Sequence, residues 1–193
     1  MPDSTFGDAE LHEIVQRVLN NVMGSSDRAQ AASNPSVQPT VVSKKTVAIG
    51  SDHGGFELKG LLKTEITSLG FEVTDVGTNS KDAVDYPDFA HVVAQLVSTG
   101  KAWRGIMIDG AGIGSCIVAN KVPGVRAGMA YDISSANNSR EHNDTNVLTL
   151  GAGLIGANLA KQIVKVWLTT EFGGDRHAKR VDKIKSVERQ YLK

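Results

Sequence analysis

The chain has 193 residues, enough for one domain with a substantial core and an additional segment. Lysine plus arginine and aspartate plus glutamate each total 21, so net charge is zero and neither general nucleic-acid affinity nor attraction to an acidic membrane is implied. One cysteine, Cys116, excludes an internal disulfide framework and fits a reducing compartment. No apolar run approaches the ~18–20 residues that span a bilayer, and no basic-then-apolar leader opens the chain, so a soluble cytoplasmic protein is expected.

Residues 1–23 carry one apolar stripe, Leu11, Ile14, Val15, Val18, Leu19, Val22 and Met23, at helical spacing. Gly24 stops it, and residues 24–45 are small, polar and proline-containing, the composition of a flexible linker. A lone helix of about 13 residues is marginal in water and must bury its stripe against a partner. Asp3, Asp8, Glu10 and Glu13 outnumber Arg17, which argues against a mitochondrial transit peptide. Two readings stay open: a helix that packs back on its own domain or oligomer, and a tethered docking helix for another protein.

From residue 46 to 193 strands and helices alternate. Strands are expected at 46–51, 71–76, 105–109, 125–130 and 146–150. Helices are expected at 56–69, 86–98, 113–121, around 133–140, at 156–170 and at 178–192. In the first of these helices Leu58, Leu61, Leu62, Ile66 and Leu69 are read as one buried face. The pattern gives an α/β fold, a Rossmann-like three-layer sandwich around a five-stranded parallel sheet.

The stretch 105–121, GIMIDGAGIGSCIVANK, carries the densest signal. A buried strand ends in Asp109, and Gly110, Gly112 and Gly114 follow at alternate positions before a helix resumes. Glycines there let the backbone lie close to a ligand with its N–H groups aimed at an anion, next to a helix N-terminus. Asp109 falls at the carboxyl end of a parallel strand, where open α/β sheets bind ligands. Other polar clusters accompany it: Ser51-Asp52-His53 before two glycines, Asp85-Tyr86-Pro87 at a helix start, Arg140, His142 and Asn143 before the last strand, and Arg176, His177 and Arg180 near the C-terminus.

The motifs SDHGG, DYPDFA, GAGIG with ANK, HNDTNVL and GGDRHAKR, in this order from residue 46 to the C-terminus, resemble the ribose-5-phosphate isomerase B family, which also includes galactose-6-phosphate and allose-6-phosphate isomerases. The resemblance implies aldose–ketose isomerisation of a sugar phosphate, ribose 5-phosphate to ribulose 5-phosphate, through an enediolate and without metal or organic cofactor. Such chemistry needs a group to open the sugar ring, a base to move a proton between C1 and C2, donors for the enediolate oxygen and cations for the phosphate. His142 matches the ring-opening histidine, with Asp52 close to the ring oxygens. Asn143 and the amides of Gly110, Gly112 and Gly114 match the enediolate cradle, and Tyr86 and Ser115 line the substrate. Arg176 and Arg180, with His53 and His177, match the phosphate contacts. The resemblance also implies a homodimer or homotetramer with active sites shared between subunits. The N-terminal segment looks like the encapsulation peptides of bacterial microcompartment cargo. Residues 9–23 would then meet a shell protein, inside the microcompartment lumen.

The chain departs from the family at the base. Many members carry a cysteine where Asp109 stands, and others a glutamate where Ser115 stands. The family's usual Thr or Ser is Ala111, so one hydroxyl donor is missing. Cys116 lies outside the cysteine slot and reads as a small buried hydrophobe. Asp109 is taken as the replacement base, with reach as its handicap, since misplacement of about 1 Å costs ~10²-fold. An altered relative, acting on a six-carbon sugar phosphate or as a scaffold, is the alternative. Trp103, Trp167 and Phe89 are read as packing. Gly151, Gly153 and Gly156 satisfy a dinucleotide-binding spacing, but no following strand is expected to hold the acidic residue, so they are read as close packing.

Overall fold

The computed structural model describes residues 45–191. The expected docking helix at 1–23 and the linker as far as residue 44 lie outside the described residues. Five strands, β1 (Thr46–Ser51), β2 (Glu72–Asp75), β3 (Arg104–Asp109), β4 (Ala127–Met129) and β5 (Val147–Gly151), form one parallel sheet in the order β2-β1-β3-β5-β4. The six helices described are α1 (Phe56–Ser68), α2 (Tyr86–Ser98), α3 (Ile113–Ala119), α4 (Ile133–Glu141), α5 (Ala157–Thr169) and α6 (Asp175–Tyr191). Helices α1, α4 and α5 pack beside one another on one face, and α2 and α3 on the other, which makes the three layers.

The central strands β3 and β5 are buried along their whole length, as expected of parallel strands covered on both faces. Ile49, Ile106, Ile108, Leu148 and Leu150 meet Leu62, Ile66, Ile163 and Trp167 from the helices in the main core. The expected strand at 71–76 is shorter by a residue at each end, and the last helix begins at Asp175 rather than 178. That earlier start puts Arg176 and Arg180 on one helix, one turn apart and on one face.

The face read for α1 needs one correction. Leu58, Lys59, Leu62 and Ile66 are its buried residues, whereas Leu61 is 46% exposed. The stripe is centred between residues 59, 62 and 66, which turns Leu61 outward. Lys59 is tolerated inside because its ammonium donates to Asp75 Oδ1 and to the carbonyl of Thr78, both at 2.7 Å. Among the described residues, no helix is long and apolar enough to cross a membrane.

Candidate active site

The sheet order fixes where a ligand can sit. From β1 the chain moves outward to β2, then returns past β1 to β3, so the carboxyl ends of β1 and β3 flank the topological switch point. Asp52 follows β1 there and Asp109 ends β3, with the Asp52 amide bonded to the carbonyl of Ile108 at 3.2 Å. Both carboxylates are buried. Asp52 Oδ1 accepts the Gly55 N–H at 3.0 Å. Burial raises the Asp52 carboxyl above its ordinary value, and the nearby Asp109 charge adds to the rise, partly offset by the Gly55 amide and His53.

Asp109 is held differently. Its Oδ1 accepts the amides of Ala111, at 2.8 Å, and of Gly112, by a short bond. Its Oδ2 accepts the Ser115 amide at 3.2 Å and the Ser115 hydroxyl at 2.5 Å. All four in-plane lone pairs are therefore engaged, and the carboxylate caps the N-terminus of α3. This changes two expectations. Ser115, expected to line the substrate, is fully enclosed, with its amide and hydroxyl both turned onto Asp109. The loop cradle is also thinner than expected, because the Ala111 and Gly112 amides are turned back onto Asp109.

The glycines meet specific needs here. Gly112 has φ +79°, and a Cβ on Gly114 would lie 2.4 Å from the Tyr86 ring, so Tyr86 rests directly on the loop. Gly110 is exposed at the loop tip, and Gly54 lies beside both it and Asp52. His53 Nδ1 is 3.2 Å from both the amide and the carbonyl of Val84, so one tautomer accepts there and the other donates. Gly151 and Gly153 pack against this loop. The Gly153 and Ala152 amides donate to the carbonyls of Gly110, at 3.0 Å, and Asp109, at 2.8 Å. Sequence reasoning took these glycines for ordinary packing and missed that they buttress the loop.

The second cluster lies elsewhere. His142 follows α4 and its ring stacks on that of His177 in the first turn of α6, with centroids 4.2 Å apart and planes at 4°. The Gly173 amide donates to Glu141 O at 2.9 Å, which ties the two segments together. Arg176 Nε donates to His177 Nε2 at 3.3 Å. Burial lowers the His177 imidazole below its ordinary value, and the His142, Arg176 and Arg180 charges add to the lowering, partly offset by Glu141. Arg176 and Arg180 are exposed. Asn143 is exposed as well, borders a cleft of about 510 Å³ beside α6, and donates to Asn138 O at 3.3 Å.

The strand register separates the two clusters. Asp109 is level with Gly151 and Gly105 with Val147, so His142 and Asn143, which precede β5, sit at the amino end of the sheet. Four residue steps along the strands separate the two levels, about 13 Å. Within one chain, Asp52, His53, Tyr86, Asp109 and the glycine loop come together at the carboxyl end, and His142, Asn143, Arg176, His177 and Arg180 gather at the amino end. Tyr131, which the sequence reading passed over, joins the first group: its hydroxyl is 3.4 Å from Ala111 O and 2.9 Å from Met129 Sδ. Its place just past β4, at the same end of the sheet, is the signal that points to it.

Comparison with known proteins shows the family and the fold. A ribose-5-phosphate isomerase B of Escherichia coli is 44% identical over 146 residues, covering 76% of this chain and 98% of that protein. A D-erythrulose-4-phosphate isomerase of Pectobacterium atrosepticum is 41% identical over 146 residues, covering 75% and 96%. The solved structure of Clostridium thermocellum ribose-5-phosphate isomerase B superposes with a TM-score of 0.74 at 49% identity, covering 76% of this chain and 99% of that one. The pattern of the Ribose/Galactose Isomerase family matches residues 47–184, and the chain belongs to that family of sugar-phosphate isomerases.

Proposed function

We propose that the protein interconverts ribose 5-phosphate and ribulose 5-phosphate through an enediolate, at sites made by two copies of the chain. The division of the polar residues between opposite ends of the sheet carries this reading. The carboxyl end holds carboxylates and a glycine loop but none of the arginines of the phosphate cluster. The amino end holds His142 and the arginine pair but no loop. A two-fold dimer that sets one end of each protomer against the other end of its partner completes both sites. Ile113, Ile117 and Leu154, each more than half exposed, supply apolar surface at the carboxyl end for that contact.

In the assembled site Arg176 and Arg180 grip the phosphate as two forked cations. His177, stacked on His142, adds a ring N–H donor to the phosphate. His142 moves a proton to the ring oxygen to open the furanose, with Asp52 across from it. Asn143 and His53 bind the opened chain and phosphate from either side. Asp109 sits where the base belongs. To take a proton from C2 and return it to C1 it must first lose the Ser115 hydroxyl, a rotation that frees one Oδ2 lone pair. Asp52 gives a second reading of the base, supported by its raised pKa and by the saturation of Asp109.

Residues 1–23 act as the docking helix, with residues 9–23 directed at a microcompartment shell protein and residues 24–45 as tether. One experiment addresses catalysis and docking together. The full chain and a form lacking residues 1–43 are assayed on four-, five- and six-carbon aldose phosphates, then tested for co-sedimentation with shell protein. Equal turnover of ribose 5-phosphate by both forms, with shell association only for the full chain, is expected. Preference for a four- or six-carbon sugar would replace the substrate, and binding without turnover of any sugar would leave the altered, non-catalytic relative as the correct reading.

A further inference from the structure

We infer that Tyr131 is a substrate-contacting residue whose phenol donates to the oxygen that gains charge in the enediolate; this rests on the isomerase reading above. The need arises from Asp109. An enediolate requires donors aimed at its oxygen, and the loop next to it has used its Ala111, Gly112 and Ser115 amides on the Asp109 carboxylate. Ala111 has only a methyl group, so the loop contributes no side-chain hydroxyl at its centre. The Tyr131 hydroxyl lies over that same residue, 3.4 Å from the Ala111 carbonyl.

The phenol is also underused. Its other neighbour, Met129 Sδ at 2.9 Å, is a weak acceptor, and the carbonyl contact is at the long limit, so the O–H has no strong acceptor among the described residues. Tyr131 is 36% exposed at the carboxyl end of the sheet, where substrate must enter. Its backbone is fixed: the Asp132 carboxylate accepts the Ser135 amide at 2.7 Å, and the Ser135 hydroxyl accepts the Tyr131 amide at 3.3 Å. A donor on a fixed turn loses little entropy in meeting a developing charge. The phenol keeps its proton throughout and only shares it with the enediolate oxygen; the base carries the carbon-bound proton from C2 to C1, and the hydroxyl proton passes from O2 to O1 within the enediol.

The test uses the full chain and ribose 5-phosphate. Tyr131→Phe removes one oxygen, and with it the contact to Met129 Sδ, and keeps the ring. A fall in kcat of roughly 10–10²-fold with KM nearly unchanged is expected, since the contact strengthens in the transition state. The melting temperature should not move, and adding Ala111→Ser to the Tyr131→Phe chain should restore part of kcat by returning a hydroxyl to the loop. Unchanged kcat in Tyr131→Phe would overturn the inference while leaving the isomerase reading intact. So would a loss that tracks a lower melting temperature and is not recovered by the added serine. A wild-type chain that turns over none of the sugar phosphates removes the isomerase reading itself, and the role of Tyr131 with it.

Discussion

Two carboxylates at the same end of the sheet are held in opposite ways, and the difference predicts how each responds to substitution. Asp109 is surrounded by donors, so an asparagine there would set its NH2 group against the Ser115 amide and disturb the loop whether or not Asp109 is the base. Asp52 offers the cleaner experiment, because asparagine keeps the acceptor for Gly55 and removes only the charge. The folded-state pKa of Asp52 is raised above 3.8, chiefly by burial. The native protein therefore carries a penalty above the folded pKa that disappears as pH falls, and is gone below the unfolded value. Asp52→Asn is expected to melt above the wild type at pH 7, with the gain shrinking through the acid range and absent below pH 3.8. It should also lose most of its activity. Thermal melts across pH read the first effect, and a variant less stable than wild type at pH 7 would show that the charge is well accommodated.

At the scale of elements, the end of α5 depends on a side chain from β3. Arg104 is buried, and its guanidinium donates to the carbonyls of Trp167, Leu168 and Thr170 at 2.7, 3.0 and 3.4 Å. It lies 4.0 Å from the ring centre of Trp103 and 5.2 Å from that of Trp167. Burial, and then the Arg140 charge, lower its pKa to about 9, which leaves it charged at neutral pH. Arg104→Ala removes the donors for three carbonyls and the filling between two indoles, so a loss of about 3 kcal/mol is expected by urea unfolding. Arg104→Lys should recover only part of it, because an ammonium lacks the fork. A variant within about 0.5 kcal/mol of wild type would mean that water replaces the guanidinium.

This contact also marks the limit of what the sequence discloses. Strand and helix positions were legible because apolar runs and glycines punctuate the chain, and α2 (Tyr86–Ser98) falls where its pattern placed it. Lys59 and Arg104 were not, because each is polar in an apolar position and is explained only by partners 16 and 63 residues away. The same holds for the site. Asp109 and its glycines announced a loop, but the capture of the loop amides by Asp109 depends on the rotation of one carboxylate. Tyr131 becomes visible only when β4 is folded next to β5.

Across the whole molecule, the strand register makes the strongest demand. Parallel strands point every carboxyl end the same way, so a residue just before β5 cannot share a small site with one just after β3 of the same chain. His142 and Asp52 must come from different protomers if they act on one sugar. This yields a test that needs no structure of the complex. His142→Ala and Asp52→Asn are each expected to be nearly inactive alone, since every site in either homodimer lacks one of the pair. When the two chains are refolded together, half of the dimers are mixed, and each mixed dimer has one site with both defects and one with neither. The mixture should then reach about one quarter of wild-type activity. Activity no greater than the average of the two variants would place both residues in a site within a single chain, which would require the turn before β5 to move by more than the length of a strand.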